Sequence, residues 1–101
     1  MPVLSISVVP VGTGSTSVSS YVAQCQEELA RFPSVKCQLT PMATILEGSL
    51  EDCLAAAAAL HGVPFDRGAK RVLTTIVIDD RRDAPVTMEG KIASVRRKLA
   101  R

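Results

Sequence analysis

The chain has 101 residues, of which 47% are hydrophobic and 22% charged, and its formal net charge is +2 at pH 7. This composition excludes a disordered chain, and the length predicts a single globular domain spanning residues 1–101. The charge is too small to argue for a nucleic-acid partner. The chain also lacks a basic start followed by a continuous apolar block, so we predict neither a signal peptide nor a membrane span. We therefore expect a cytoplasmic protein that binds neither membranes nor nucleic acids.

Cysteine usage points to the same compartment. The three cysteines, Cys25, Cys37 and Cys53, are odd in number and lack the C-x-x-C spacing of a zinc site. We interpret them as small buried thiols in a reducing environment. Because potential metal ligands do not occur together at the spacing of a metal site, we expect no metal and no cofactor.

The first third of the chain predicts a strand and then a helix. Residues 3–10 alternate in hydrophobicity with a period of two, which is typical of a strand with one face in a core. A glycine-rich turn at residues 12–16 follows, in which Ser15 or Thr16 can cap a helix. An apolar stripe at helical spacing then continues until Pro33, which ends the helix. The stripe consists of Val18, Val22, Cys25 and Leu29.

Residues 35–48 predict a β-hairpin. Two short runs rich in strand-forming residues flank a break at residues 40–43, and a proline in second place at such a break favours a tight turn. With Pro41 and Met42 as the loop, the pairs are Thr40 with Ala43, Leu39 with Thr44, Gln38 with Ile45, Cys37 with Leu46 and Lys36 with Glu47. One face mixes hydroxyl, amide and carboxylate groups with one aliphatic side chain, which suits a ligand or a partner sheet.

The second half of the chain predicts a helix, a strand and a last helix. Residues 49–52 resemble a capping box, and the helix that they open ends near His61 and Gly62. Its buried stripe is Leu50, Cys53, Leu54, Ala57 and Leu60. Residues 71–79 are apolar on both faces, which predicts a strand that is central or covered on both sides. Thr87 can cap the last helix. The stripe of that helix is Met88, Ile92, Val95 and Leu99.

The order strand, helix, strand, strand, helix, strand, helix predicts a ferredoxin-like α+β fold, βαββαβ with an extra C-terminal helix. In this fold a four-stranded antiparallel sheet carries two helices on one face. The other face would expose Val9, Ile45 and Val77, and a face this apolar is unfavourable in water. We expect another subunit or the last helix to cover it, and hence a homodimer or homotetramer.

Four polar features have both a structural and a functional interpretation. Residues 12–16 could cradle an anion, but a plain turn with a helix cap is favoured because the lysine and spacing of a P-loop are missing. His61 has no nucleophile or carboxylate spaced to work with it. Residues 79–83 alternate in charge, which favours mutual salt bridges over a metal site. Glu47 is either paired with Lys36 at the surface or, beneath a covering partner, a group that a cationic ligand would satisfy.

Three segments resemble the small thiamine-binding-protein family, and the likeness covers essentially the whole chain. They are residues 5–14 (SISVVPVGTG), 39–48 (LTPMATILEG) and 74–83 (TTIVIDDRRD). The resemblance implies a ferredoxin-like fold, association as dimers and tetramers, and binding of thiamine or its hydroxymethylpyrimidine moiety without catalysis. The chain departs from the family pattern at Ala43, where glycine is usual, and at Cys37, where tyrosine is frequent.

We therefore predict a non-catalytic homo-oligomer that binds an aminopyrimidine. The predicted ligand-binding residues are Ser7, Thr40, Met42, Thr44 and Glu47. Met42 and Ile45 can supply an apolar slot for a flat ring, the hydroxyls can bond ring nitrogens, and Glu47 can accept from an exocyclic amine. Two alternatives stay open: a protein-interaction or regulatory module without a small ligand, and an acylphosphatase-like hydrolase with its phosphate loop at residues 12–16.

Overall fold

Four strands and three helices make up the part of the chain that the computed structural model describes, residues 1–12, 14, 19–84 and 87–100. The strands are β1 (Val3–Val11), β2 (Lys36–Leu39), β3 (Thr44–Glu47) and β4 (Arg71–Asp79). The helices are α1 (Ser19–Glu28), which a 3-10 turn at Leu29–Arg31 continues, α2 (Leu50–Asp66) and α3 (Met88–Leu99). All neighbouring strands pair antiparallel in the order β2-β3-β1-β4, so the predicted ferredoxin-like α+β fold is confirmed.

The hairpin of β2 and β3 has the predicted register. Its ladder runs from Lys36 opposite Glu47 to Leu39 opposite Thr44. The turn closes with a hydrogen bond from the Thr40 N–H to the Ala43 carbonyl at 2.9 Å. Because side chains alternate along a strand, this register also fixes which hairpin residues face the helices and which face away.

The core lies between the sheet and helices α1 and α2. Leu4 and Ile6 of β1 and Leu46 of β3 point towards the helices and are almost completely buried. α2 meets this surface with Ala56 and Ala57, whose small side chains allow helix and sheet to approach closely. Each fully buried leucine contributes about 1.5–3 kcal/mol to folding, so this layer is the main source of stability.

Helix α2 extends past the predicted end at Gly62. Pro64 lies within its last turn, and the helix ends only before Gly68, whose φ is 96°. A proline in a helix has no N–H to donate to the carbonyl four residues earlier, here that of Leu60. The thiol of Cys25 on α1 lies 3.9 Å from that carbonyl and offers a weak donor in its place.

Strand β4 lies at the edge of the sheet, so the prediction of a central or doubly covered strand is wrong. It pairs along all nine residues with β1 and with no other strand among the described residues. Ile76 and Ile78 on its helix-facing side are only partly covered, and Leu73 and Val77 on the other side are exposed. The split βαβ topology explains this position, because it places the fourth strand outside the first.

Helix α3 covers one corner of the open face, by which we mean the sheet face opposite α1 and α2. Met88 is buried there against Val3 and Ile45. Two ion pairs flank this contact, Lys36–Glu89 at β2 and Lys91–Asp79 at β4. The predicted cover by the last helix is therefore present only at this corner.

Two further expectations are wrong, and both concern exposure. Leu54, predicted on the buried stripe of α2, is exposed because the buried face of that helix is centred on Cys53, Ala57 and Leu60. Cys37, predicted to be buried, is exposed on the edge strand β2, whereas Cys25 and Cys53 are buried as predicted. Helices α1 and α2 cover the centre of the sheet better than its edges.

The helix caps were predicted at three places, of which two lie among the described residues. Ser49 accepts a hydrogen bond from the Asp52 N–H at 3.1 Å, and Thr87 accepts one from the Gly90 N–H at 2.8 Å, so both predicted caps are confirmed. The predicted cap of α1 at residues 15–16, the stripe residue Val18 and Pro85 lie outside the described residues. No described helix combines the length and apolar character needed to cross a membrane.

Candidate functional site

A small cavity opens where β1 extends beyond its neighbour in the hairpin. β3 pairs with β1 only from Val3 opposite Glu47 to Ile6 opposite Thr44, whereas β4 pairs with β1 along its whole length. From Ser7 onward, alternate backbone N–H and C=O groups of β1 therefore lack a ladder partner on the hairpin side among the described residues. The space between this part of β1 and the hairpin tip has a volume of about 190 Å³.

The walls of this cavity come from β1, α1, α2 and the hairpin. They consist of Ile6, Ser7, Val8 and Val9 from β1, Val22 and Cys25 from α1, Leu60 from α2, and residues 39–44 from the hairpin. Most of these side chains are aliphatic, and the polar groups are three hydroxyls and the unpaired main chain of β1. Apolar walls with a few polar groups are typical of a small-molecule site.

Four of the five predicted ligand-binding residues line this one cavity. They are Ser7, Thr40, Met42 and Thr44. The alternation of side chains places Thr40 and Thr44 on opposite faces of the hairpin, but the cavity passes between strands and reaches both. Met42 stands at the turn with 87% of its surface exposed, so its flexible side chain is free to fold over the opening.

The three hydroxyls differ in what they can offer. Thr40 Oγ1 donates to the Ala43 carbonyl at 2.7 Å and accepts from the Ala43 N–H at 3.1 Å, so its hydrogen-bonding capacity is largely used by the turn. Thr44 Oγ1 accepts from Gln26 Nε2 at 3.0 Å, which leaves its proton free to donate. The half-buried Ser7 makes no side-chain hydrogen bond within the part of the chain that the structure describes. Ser7 and Thr44 are therefore the hydroxyls available to a ligand.

Cys25 lies at the cavity wall without the features of a nucleophile. Burial, and to a lesser extent the nearby carboxylate of Glu28, raise the pKa of its thiol above the ordinary value. A thiol that stays protonated at neutral pH is a poor nucleophile and a poor metal ligand. Cys25 therefore contributes to the site only as part of the cavity wall.

Glu47 does not line the cavity. It lies on the open face, three residues beyond Thr44, which is about 10 Å along the strand. Only 9% of the residue is exposed, and its Oε2 has no hydrogen-bond partner among the described residues. The surface ion pair with Lys36, one of the two interpretations of Glu47, is absent, because the Lys36 ammonium pairs with Glu89 at the start of α3. The alternation of β3 placed Glu47 on the correct face, but the cavity lies at the other end of this strand, beside Thr44.

The other polar candidates also lie outside the cavity. His61 Nδ1 is 2.7 Å from Thr74 Oγ1, and its ring contacts Phe65 edge to face. The predicted salt bridges within residues 79–83 are confirmed for Arg81 with Asp83 and Arg82 with Asp80, whereas Asp79 pairs with Lys91 of α3. Across the described ranges, no three histidine, cysteine or acidic side chains cluster as metal ligands. Gly12 and Gly14 adopt positive φ angles as in a turn, but residues 13 and 15–16 of the possible anion loop lie outside the described residues.

Sequence reasoning missed the aliphatic walls. Val22, Cys25 and Leu60 were predicted only as members of buried helical stripes, and helical spacing alone does not separate a core position from a pocket wall. One signal could have located the gap. The first strand was predicted to be longer than either half of the hairpin, so part of β1 had to continue without a partner on that side.

The fold and this cavity define a ferredoxin-like α+β domain with a small apolar pocket between its first strand and its hairpin. The sequence profile of the family described as thiamine-binding protein matches residues 4–96. The chain therefore belongs to the thiamine-binding protein family.

Relatives span the whole of this chain. The UPF0045 protein YqgV of Bacillus subtilis is 45% identical over an alignment of 102 residues that covers 98% of this chain and 98% of YqgV. The crystal structure of the hypothetical protein MJ1052 from Methanocaldococcus jannaschii superimposes with a TM-score of 0.85 at 32% identity, over 93% of this chain and 94% of that one. A Thermotoga maritima protein provisionally assigned to thiamine biosynthesis or salvage superimposes with a TM-score of 0.74 over 93% of this chain and 97% of that one. At 22% identity, this third likeness shows the fold alone.

Proposed function

We propose that this protein binds an aminopyrimidine, either thiamine or its hydroxymethylpyrimidine moiety, in the cavity between β1 and the hairpin tip. One observation carries the proposal: this chain of the thiamine-binding protein family has an apolar cavity lined by four residues that were predicted from the sequence to bind the ligand. They are Ser7, Thr40, Met42 and Thr44.

The size of the cavity suits one heteroaromatic ring. Sites for drug-sized ligands usually enclose about 300–1,000 Å³, and this cavity, at about 190 Å³, is smaller. The pyrimidine ring would enter the cavity, and the thiazolium ring of thiamine would stay outside it, near the exposed Met42. Hydroxymethylpyrimidine and thiamine should therefore compete for the same space.

The polar groups of the cavity match the edge of an aminopyrimidine. Such a ring presents nitrogen acceptors beside an exocyclic amino donor, which is the donor and acceptor pattern that an unpaired strand edge complements. The unpaired backbone of β1 from Ser7 onward offers both types of group, and the Thr44 hydroxyl can donate to a ring nitrogen. Thr40 contributes chiefly through its methyl group because its hydroxyl is used in the turn.

A binding role without turnover agrees with the chemistry of these residues. The Ser7 hydroxyl has no base beside it in the cavity lining, the Cys25 thiol is held protonated, and His61 is engaged with Thr74 elsewhere. General base catalysis needs a base within hydrogen-bond reach of the proton that it removes. We therefore propose a binding protein that works in the cytoplasm, where its three free cysteines would stay reduced.

We also propose that the chain acts as a homodimer or homotetramer. β4 presents its outer edge over nine residues, and exposed strand edges of this length pair readily with another strand. Leu73 and Val77 add exposed aliphatic surface on the open face beside that edge. Burying such surface is favourable by about 25 cal/mol per Å² of apolar area.

Calorimetry with thiamine and with hydroxymethylpyrimidine tests the ligand proposal. We expect saturable binding of both, and competition between them. Thr44→Val removes the free hydroxyl at nearly constant volume and should weaken binding about tenfold, the usual effect of losing a hydrogen bond in a buried site. The control Ser20→Ala removes an exposed hydroxyl on α1 that does not line the cavity and should bind as the wild type does.

The competing interpretation is an interaction module without a small ligand, and the exposed aliphatic surface of the open face favours it. No heat with either compound, together with a stable assembly, would leave that module as the function. Equal affinities of the wild type and Thr44→Val would show that a ligand, if bound, lies outside this cavity.

A further inference from the structure

Gln26 lies outside the cavity but bonds directly to one of its hydroxyls. Its Nε2 on α1 donates to Thr44 Oγ1, on the first residue of β3, at 3.0 Å. Gln26 is not part of the cavity wall; it lies one helical turn after Val22, on an apolar groove that runs between α1 and the hairpin tip. An effect of Gln26 on a ring held inside the cavity must therefore pass through Thr44.

This contact fixes the direction of the Thr44 hydroxyl. A hydroxyl has one proton to donate and two lone pairs with which to accept. Because Gln26 brings an N–H group to the oxygen, the proton of Thr44 turns away from Gln26, and it makes no hydrogen bond with a described residue. Accepting one hydrogen bond also polarises a hydroxyl and makes it a stronger donor. Thr44 is thus held as a donor on the wall of the cavity.

The burial of Thr44 makes this direction important. Only 7% of the residue is exposed, so little water reaches its hydroxyl to replace a missing partner. When a buried donor faces another donor, the hydrogen bond is lost and both groups stay desolvated. The Thr44 hydroxyl should therefore discriminate between ring edges more strongly than an exposed hydroxyl would.

The other two hydroxyls on the cavity wall lack this property. The Ser7 hydroxyl makes no side-chain hydrogen bond in the part of the chain that the structure describes, so it can rotate to donate or to accept. Thr40 Oγ1 already does both in the turn, where its partner is Ala43. Among the hydroxyls of the described wall, Thr44 alone combines a fixed polarity with a proton available to a ligand, and Gln26 is the residue that fixes it.

Aminopyrimidines and oxopyrimidines present opposite edges to such a donor. In the amino compound the ring nitrogen beside the exocyclic amine accepts a hydrogen bond, and the amine donates one. In the oxo compound that nitrogen carries a proton, and the exocyclic oxygen accepts. The two rings have nearly the same size and shape, so an apolar cavity of about 190 Å³ does not separate them by volume. The direction of the hydrogen-bonding groups must separate them.

We propose that Gln26 is a positioning residue that makes the cavity select aminopyrimidines over oxopyrimidines, because it holds the Thr44 hydroxyl as a donor to the ring nitrogen beside the amine. The inference rests on the proposed function and names the group that would recognise the ligand. The unpaired backbone of β1 also presents donors and acceptors, so Gln26 supplies part of the selection. A purely structural role, in which Gln26 ties α1 to β3, would change stability but not the preference between the two rings.

Calorimetry at pH 7 with hydroxymethylpyrimidine and with its oxo counterpart, in which a carbonyl replaces the exocyclic amine, tests this selection. We expect the wild type to bind the amino compound at least about tenfold more tightly, the effect of one mismatched hydrogen bond in a buried site. Gln26→Glu replaces the amide N–H by a carboxylate oxygen, which accepts from Thr44 and turns its proton away from the ring. The preference for the amino compound should then fall at least about fivefold. Gln26→Leu leaves the hydroxyl free to rotate and should give an intermediate preference.

Two controls separate the direction of the hydroxyl from the added charge. Gln24→Glu adds the same charge on the same helix, two residues before Gln26 and so on the opposite side, away from the cavity wall. It should keep the wild-type preference. Gln26→Glu is also made in a Thr44→Val background, which has no hydroxyl to turn. The preference of this double variant should stay within about twofold of that of Thr44→Val alone. Circular dichroism checks that every variant is folded.

The outcomes separate this inference from the ligand proposal. A wild type that binds neither compound overturns both. A wild type that binds the two equally, or prefers the oxo compound, leaves pyrimidine binding standing but overturns the selection by a Thr44 donor. If Gln26→Glu keeps the wild-type preference, or changes it equally with and without the Thr44 hydroxyl, Gln26 does not act through Thr44. If Gln26→Glu does not fold, a wild-type preference in Gln26→Leu overturns the inference.

Discussion

The two faces of the sheet have nearly the same alternating pattern in the sequence but different surroundings in the structure. On the helix-facing side, Leu4 and Leu46 are fully buried under α1 and α2. On the open face, Val9, Leu73 and Val77 point into solvent except where the start of α3 covers a corner. A period of two therefore identifies a strand and its two faces, but it does not say which part of the molecule, or which molecule, covers each face.

Leucine truncation on each face gives the largest expected effect and tests this contrast directly. Leu46→Ala should lower the free energy of unfolding by about 2–5 kcal/mol, because it removes a fully buried side chain and leaves a cavity. Leu73→Ala should cost less than about 0.5 kcal/mol for the monomer, since the leucine is already exposed. Urea unfolding at several protein concentrations measures both. A cost of Leu73→Ala that grows with concentration would show that another copy covers the open face.

Glu47 is a charged residue that is buried on the open face, and its removal should have an intermediate effect. Its Oε2 is buried and has no hydrogen-bond partner among the described residues. Because a buried charge without donors is costly, the neutral isostere Glu47→Gln should raise the free energy of unfolding at pH 7 by about 1–3 kcal/mol. Chemical denaturation measures the change. The matched control Glu51→Gln alters an exposed carboxylate on α2 and should leave stability unchanged.

The opposite result would also be informative. A Glu47→Gln protein that is less stable than the wild type would show that the carboxylate has donors in solution, such as bound water or a partner chain. Ligand affinity should stay within about twofold of the wild type in this variant, because the carboxylate lies about 10 Å along the strand from Thr44.

The parts of the fold that depend on local chemistry could be predicted from the sequence. Pro41 at the second place of the break fixed the loop, and the alternation on either side then gave the full hairpin register. The cap at Thr87 and the helix that follows it could also be predicted, because each depends on a few neighbouring residues. These features involve spacings of one to four residues, where backbone geometry leaves few choices.

The parts that depend on distant contacts could not be predicted in this way. The sequence of β4 predicts a central strand because both of its faces are apolar, but the strand lies at the edge of the sheet. Its apolar pattern reflects surface that is available to another partner. The sequence places the end of α2 too early, at Gly62, because a glycine usually follows a helix end. The helix continues through Gly62 and Pro64 to Asp66, and a thiol from α1 lies near the carbonyl that Pro64 leaves without its N–H donor. The cavity depends on where β1 and the hairpin separate, and only five of its wall residues, Ser7, Thr40, Pro41, Met42 and Thr44, carried a polar or turn signal in the sequence.

The smallest expected effect concerns the ion pair that ties α3 to the open face. Lys36 and Glu89 are both exposed, and exposed pairs add little to stability because water solvates the separated charges well. Lys36 lowers the pKa of the Glu89 carboxyl, chiefly through their hydrogen bond, and the same bond raises the pKa of Lys36. The contribution is therefore present between the two titrations. It is lost on the acid side as pH falls from the ordinary carboxyl value of about 4.3 through the lowered pKa of Glu89, and on the alkaline side as pH rises through the raised pKa of Lys36.

Glu89→Gln should shift the melting temperature slightly at pH 7 and not at all at pH 2. A shift of the same size at both pH values would mean that Glu89 acts through packing on β2, and that the charge contributes nothing to holding α3 against the open face.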